Sequence, residues 1–147
     1  MRILIVEDDG FKLKAIERVI SRCEANHVQI AKSLRGAMTA LENDKFDFVV
    51  LDMAIPSHTS DVGAVDTYSQ PVGGLDVLLF LVSQERRERV AILTQHPTVE
   101  YDRKHVPLRS LLSVLHSDGI ENVVSVVRFS DGDEWKEPLL LAMEVAK

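Results

Sequence analysis

Three acidic side chains and one threonine stand directly after short apolar runs in this sequence. They are Glu7, Asp8, Asp52 and Thr94. Carboxylates crowded together repel one another, and a hard divalent cation such as Mg2+ relieves that repulsion while keeping several of its own waters. A carboxylate beside a bound cation, with a hydroxyl nearby, is suited to phosphoryl transfer. If the fold brings these residues together, Asp52 could therefore act as a nucleophile that forms an acyl phosphate.

The elements that must position these residues alternate between two kinds of segment. Short apolar runs rich in β-branched residues are typical of strands buried on both faces, and they occupy residues 3–6, 48–51, 90–93 and 123–127, with a weaker, more polar run at 27–31. Apolar residues at helical spacing indicate helices around residues 11–20, 34–41, 75–82, 108–115 and 139–145. This order predicts an α/β fold with a doubly wound five-stranded parallel sheet and helices on both faces. Sites in such sheets form at the carboxyl ends of the strands, where all four polar residues lie.

Composition excludes several classes of function. The 147 residues carry a formal net charge of −6, which disfavours nucleic-acid binding through bulk charge. A single cysteine, Cys23, excludes an intrachain disulfide. No apolar run approaches the roughly 20 residues that a membrane helix needs. We therefore expect one cytoplasmic domain over residues 1–147, with long polar loops over Ser57–Gly73 and Gln95–Val106.

Four segments resemble the receiver domain of two-component response regulators. The opening strand and acidic pair, Ile3–Asp9, and the stretch Phe46–Pro56 around Asp52 are the more specific two. Gly74–Leu78 is similar to the start of the family's third helix, and Val90–Thr94 to its fourth strand with the switch threonine. Because these segments follow the family's order over nearly the whole chain, the resemblance implies flavodoxin-like, receiver-type topology.

The resemblance also assigns roles to individual residues. Asp52 would be the phosphoacceptor. Asp8 would bind Mg2+ directly and Glu7 through water, while Ala54 would offer its backbone carbonyl to the metal. Thr94 would bind the phosphoryl group and signal its presence by moving.

This sequence departs from the family in its fifth strand and after Asp52. The family ends that strand with a lysine, where simple alignment places Val126. Arg128 is the nearest basic residue and could reach the site if the strand ran two residues longer; otherwise the lysine has no replacement. The aromatic residue that often precedes the lysine is also missing. Most of Ser57–Gly73 is predicted to be an insertion beside the site.

The resemblance predicts a phosphoacceptor receiver domain that takes a phosphoryl group from a sensor histidine kinase or a histidine phosphotransfer protein. It would catalyse at most its own phosphorylation and dephosphorylation, and it would signal through an output protein or a homodimer. The alternative is a pseudo-receiver that regulates a partner without phosphorylation, which the missing lysine and the long insertion favour. A metal-dependent phosphohydrolase would need a second acid or base near Asp52, and Ala54 two residues on argues against it.

Two residues near the predicted site have structural interpretations. Asp9 is predicted to cap the first helix, because aspartate is a good helix N-cap. Trp135, the sole tryptophan, is predicted to pack the last helix onto the sheet.

Overall fold

The computed structural model describes residues 1–23, 27–57 and 73–147. Its elements are, in chain order, β1 (Arg2–Val6), α1 (Gly10–Ile20), β2 (His27–Ala31), α2 (Leu34–Asn43), β3 (Phe48–Leu51), α3 (Gly73–Ser83), β4 (Arg89–Thr94), β5 (Thr98–Tyr101), β6 (Lys104–Pro107), α4 (Leu108–Ser117), β7 (Val123–Arg128) and α5 (Lys136–Val145). The predicted insertion, apart from its end residues 57 and 73, lies outside the described residues. None of the described helices has the length and apolar character needed to cross a membrane.

Five parallel strands form the main sheet in the order β2-β1-β3-β4-β7. One hydrophobic core lies between the sheet and α1 and α5, and a second lies on the other face under α2, α3 and α4. The predicted doubly wound, flavodoxin-like fold is therefore confirmed. Strand order reverses beside β1 and β3, and in this class of fold ligands bind outside the carboxyl ends of the strands at that point.

The polar loop predicted over Gln95–Val106 is wrong in part, because an antiparallel hairpin of β5 and β6 forms there. Its turn residues Asp102 and Arg103 both have positive φ, which suits a tight hairpin turn. Val99 and Val106 pair across the hairpin and are buried against the core. With only these two apolar positions, the alternation was too weak to distinguish the hairpin from a loop.

Strand β7 gains one residue relative to its neighbour β4. Val90 pairs with Val123, but Ala91 pairs with Ser125, so the register shifts between the two pairs. Such a bulge reverses which face the following side chains occupy. Val127 packs into the core under α1 and α5 as a result.

Helix α3 begins in direct contact with the loop that follows β3. A Cβ atom placed on Gly74 would meet the Cα of Met53 and would lie 2.7 Å from the carbonyl oxygen of Asp52. The Gly74 N–H also donates to the Met53 carbonyl at 3.2 Å. Glycine at this position therefore lets the helix support the backbone on which Asp52 stands.

We expect Gly74→Ala to lower the free energy of unfolding by about 1–3 kcal/mol, because the added methyl group meets rigid backbone. Chemical denaturation measures this change. Gly10→Ala is the matched control, since a Cβ on Gly10 meets nothing within 4 Å, and its stability should match or slightly exceed that of the wild type. Equal stabilities for the two variants would contradict the close contact at Gly74.

Candidate functional site

Glu7, Asp8 and Asp52 form a carboxylate cluster at the carboxyl edge of the sheet. Val6 pairs with Leu51 across β1 and β3, so the acidic residues that follow these strands stand at the same level. Each of the three contributes one oxygen, and these oxygens all lie within 4.8 Å of one another. Glu7 is 1% exposed and Asp52 is 8% exposed, whereas Asp8 is exposed. The cluster is therefore a set of hard oxygen donors that is buried at Glu7 and Asp52 and open to solvent at Asp8.

Backbone N–H groups fix the second oxygen of two of these carboxylates. The Asp9 N–H donates to Glu7 Oε1 at 3.0 Å, and the Ala54 N–H donates to Asp52 Oδ1 at 3.1 Å. Asp9 itself accepts the Lys12 backbone N–H at 2.9 Å as the N-cap of α1, which confirms the capping prediction. Ala54 thus lies beside Asp52, while metal binding by its carbonyl oxygen stays a prediction.

A lysine side chain, that of Lys12, completes the cluster. Its Nζ lies 2.5 Å from Glu7 Oε2 and 3.4 Å from Asp52 Oδ2. It also donates to the Leu93 carbonyl at 2.6 Å and stands 5.8 Å from the centre of the Phe129 ring. The Lys12 side chain is only 2% exposed, so this positive charge is held inside the protein among negative charges.

Sequence reasoning missed Lys12 because helical spacing placed it off the apolar face of α1. That spacing assigned Phe11 to the core, whereas Phe11 is 70% exposed and its neighbour Lys12 is buried. Side chains of a helix tilt toward its N-terminus, so a long side chain in the first turn of α1 points back to the carboxyl edge of the sheet. The signal available in the sequence was a lysine in the first helical turn after an acidic strand end.

Arg128 is not part of this cluster in the structure. It pairs with Thr94 at the end of β7, but its side chain is exposed, and no ion pair joins it to a carboxylate among residues 1–23, 27–57 and 73–147. The bulge in β7 explains this placement, because it puts Val127 and Phe129 on the α1 and α5 side and leaves Arg128 on the opposite phase. Regular alternation along β7, without a bulge, would instead place Arg128 on the α1 and α5 side, where Phe129 lies.

Thr94 ends β4 at the same edge of the sheet and is 1% exposed. Its Oγ1 accepts the His96 N–H at 3.3 Å, and its carbonyl oxygen accepts the Phe129 N–H at 2.8 Å. The hydroxyl is therefore engaged locally and lies on the strand next to the one that carries Asp52. Its contact with a phosphoryl group stays a prediction.

The predicted packing of Trp135 is confirmed. Trp135 is 2% exposed, and its ring lies 5.0 Å from the Phe129 ring between centroids. Its indole N–H donates to the Gly132 carbonyl at 3.0 Å. A chain of contacts therefore runs from Lys12 through Phe129 to the residue that precedes α5.

The electrostatics of the cluster raise the affinity of two carboxylates for protons. Burial, and then the negative charge of Asp52, raise the pKa of Glu7 from 4.5 to about 7, although the Lys12 ammonium opposes the shift. Partial burial is also the largest cause that raises the pKa of Asp8 above its usual value. Burial is thus the largest cause of both pKa shifts, and the negative charge of Asp52 adds to each.

Glu7 should make the protein less stable as pH rises from about 4.5 to about 7, because the folded state binds the Glu7 proton more tightly than the unfolded chain. Without added metal, we therefore expect Glu7→Gln to raise the melting temperature by several degrees at about pH 8 and by less at about pH 5. Glu42→Gln, at an exposed position on α2, should show no such pH dependence. A Glu7→Gln effect equal at both pH values would contradict the raised pKa.

This chain is similar to known proteins in sequence and in fold. No protein-family model matches the chain. The Detocs response regulatory protein DtcB of Vibrio alginolyticus is 29% identical over 140 residues, which cover 92% of this chain and 94% of that protein.

Two solved structures extend the likeness to the fold. The non-phosphorylated receiver domain of HemR from Leptospira biflexa superposes with a TM-score of 0.64 at 19% identity, covering 99% of this chain and 92% of that one. The response regulator TrrA from Thermotoga maritima, in complex with Mg(2+)-BeF, gives a TM-score of 0.63 at 16% identity, covering 99% and 98%. The resemblance predicted from the sequence is confirmed. This chain therefore has the fold of response-regulator receiver domains and is similar in sequence to a response regulatory protein.

Proposed function

We propose that this receiver domain is phosphorylated on Asp52 in an Mg2+-dependent reaction and passes the signal to a partner protein. The observation that carries the proposal is the position of Asp52 between charges of both signs. Oxygens of Glu7 and Asp8 lie within 4.8 Å of an Asp52 oxygen, and the Lys12 ammonium lies 3.4 Å from Asp52 Oδ2. This arrangement provides a nucleophilic carboxylate with both a cation-binding group and a fixed positive charge beside it.

The residues at this edge fit Mg2+. Three carboxylate oxygens within 4.8 Å of one another, one of them on an exposed side chain, suit a cation that keeps several waters. Glu7, Asp8 and Asp52 would hold it, and the Ala54 carbonyl is the further ligand that the sequence predicts. Mg2+ bound there supplies positive charge against the phosphoryl oxygens. The Mg(2+)-BeF complex of TrrA supports the same chemistry on the same fold.

Groups of this chain would orient the nucleophile and bind the transferred phosphoryl group. The Ala54 N–H holds Asp52 Oδ1, which fixes the orientation of the attacking carboxylate. As the bond from Asp52 to phosphorus forms, the phosphorus–nitrogen bond of the donor phosphohistidine breaks, and its electron pair leaves with the imidazole. The Thr94 hydroxyl, on the neighbouring strand, would then bind a phosphoryl oxygen. The donor in this proposal is a sensor histidine kinase or a histidine phosphotransfer protein.

A chemical donor tests the proposal without a partner protein. The folded chain is incubated with acetyl phosphate and Mg2+ and then measured by intact mass spectrometry, with a parallel sample in EDTA. We expect a single phosphoryl adduct that forms only with Mg2+. No adduct, from a folded protein that also fails to bind Mg2+, would refute the proposal and leave the phosphorylation-independent pseudo-receiver.

The position of Lys12 weakens the main reason for the pseudo-receiver alternative. That alternative rested on the missing lysine of the last strand as well as on the insertion, and a buried ammonium nevertheless contacts Asp52. The phosphohydrolase alternative gains no support, because Ala54 offers no acid or base beside Asp52.

A further inference from the structure

We propose that Lys12 is a catalytic residue whose ammonium binds the phosphoryl group on Asp52. In this chain the first helix would thus supply the cation that the family resemblance expects from the last strand. The inference rests on the proposed function, because it concerns the same phosphoryl group on the same aspartate.

The Lys12 ammonium keeps hydrogen-bonding capacity for a phosphoryl oxygen. A lysine ammonium has three N–H donors, and one of them donates to the Leu93 carbonyl at 2.6 Å. The same nitrogen forms an ion pair with Glu7 Oε2 at 2.5 Å, but that carboxylate oxygen has no hydrogen-bond partner among the described residues. Asp52 Oδ2 lies at the longer distance of 3.4 Å from the nitrogen. An oxygen added to Asp52 therefore arrives beside an ammonium that is already in place.

The burial of Lys12 argues against a purely structural role. A buried ion pair contributes little net stability, because desolvation of the charges offsets their attraction, and an apolar side chain of similar size often serves the fold as well. Lys12 is nevertheless 2% exposed, and it faces two carboxylates that are themselves nearly buried. A charge held in this way needs no reorganisation when negative charge develops in front of it.

The end of β7 explains why the cation comes from α1. Phe129, and not a basic residue, packs on the α1 and α5 side there, and its ring lies 5.8 Å from the Lys12 ammonium. Arg128 is exposed and occupies the opposite phase. The Phe129 ring thus contacts the Lys12 ammonium and occupies the position from which a basic residue of the last strand would reach the site.

Lys12 would act on the group-transfer step without exchanging a proton. Asp52 forms its bond to phosphorus as the bond to the donor breaks, and with acetyl phosphate the leaving group is acetate. The ammonium keeps its three protons throughout and donates one hydrogen bond to an equatorial phosphoryl oxygen. It therefore affects the binding of the phosphoryl group and the rate of transfer, but not the identity of the products.

Methionine substitutions separate this role from a structural one. Lys12→Met keeps a long, buried side chain and removes the charge, and Arg128→Met is the same substitution at the exposed basic residue. Adduct formation from acetyl phosphate is followed by intact mass. Binding of Mg2+, and of beryllofluoride with Mg2+ as an inert phosphoryl mimic, is followed by calorimetry.

We expect Lys12→Met to form the adduct about 100-fold more slowly and to bind beryllofluoride correspondingly more weakly. Its Mg2+ affinity should stay the same or rise, because the cluster loses a competing cation. Arg128→Met should behave like the wild type. Wild-type rates and beryllofluoride affinity in Lys12→Met would overturn the inference alone. An absence of adduct in the wild type would instead overturn the proposed function and this inference with it.

A measurement on the wild type covers the case in which Lys12→Met does not fold. A crystal structure with Mg2+ and beryllofluoride should show Lys12 Nζ within hydrogen-bonding distance of a fluoride on Asp52. Arg128 at the fluoride, with Lys12 still on Glu7 and Leu93 alone, would overturn the inference.

Discussion

Asp52→Asn is expected to abolish the Mg2+-dependent phosphoryl adduct, with a loss of more than about 1000-fold in its rate of formation. The carboxamide of asparagine lacks the nucleophilic oxygen that attacks phosphorus. It keeps the size of the aspartate and an oxygen that can accept the Ala54 N–H, so the loop should remain in place. Intact mass after incubation with acetyl phosphate measures the loss.

The same substitution should also stabilise the protein in the absence of metal. The negative charge of Asp52 raises the pKa of Glu7, so its removal makes ionisation of Glu7 less costly in the folded state. The melting temperature near neutral pH should therefore rise. Asp44→Asn, in an exposed ion pair that precedes β3, is the control and should leave both measurements unchanged. An adduct that persists in Asp52→Asn would place the modification on another residue.

Asp8→Asn is expected to weaken Mg2+ binding by at least about tenfold. Asp8 is the exposed member of the carboxylate cluster, and burial of the other two leaves it the oxygen donor most accessible to a hydrated cation. The Mg2+ concentration for half-maximal adduct formation should increase by the same factor. Calorimetric titration with Mg2+ measures the affinity directly.

The adjacent residue provides the control for Asp8. Asp9→Asn removes one carboxylate charge one position further on but keeps a good N-cap for α1. We expect its Mg2+ affinity and its stability to stay close to those of the wild type. Equal losses in Asp8→Asn and Asp9→Asn would show that general charge, and not ligation by Asp8, attracts the metal.

The sequence was sufficient to predict the sheet and the acidic edge. The apolar runs of β1, β3, β4 and β7 have a strong signal, the first three of them being buried on both faces, and parallel strands alternating with helices permit few topologies. The convergence of Glu7, Asp8 and Asp52 followed from that topology alone, since each follows one of two adjacent strands.

Features that depend on a single residue of register or on tertiary contacts could not be predicted. The extra residue of β7 between Val123 and Ser125 decides that Phe129, and not Arg128, lies on the side of α1 and α5, and no residue pattern predicts it. The contacts of buried Lys12 are with residues that follow β1 and β3 and with a carbonyl of β4, whereas periodicity describes only its own helix. Buried charge at a functional site breaks the hydropathy pattern on which such predictions rest.

The central claim is that Asp52 carries the phosphoryl group. The most direct test treats the wild-type protein with acetyl phosphate and Mg2+, reduces the acyl phosphate with borohydride, and maps the peptides by mass spectrometry. Reduction converts a phosphorylated aspartate into homoserine, so we predict homoserine at position 52 and only in the sample that contained Mg2+. Homoserine at another aspartate, or at none in a protein shown to be folded, would contradict the claim.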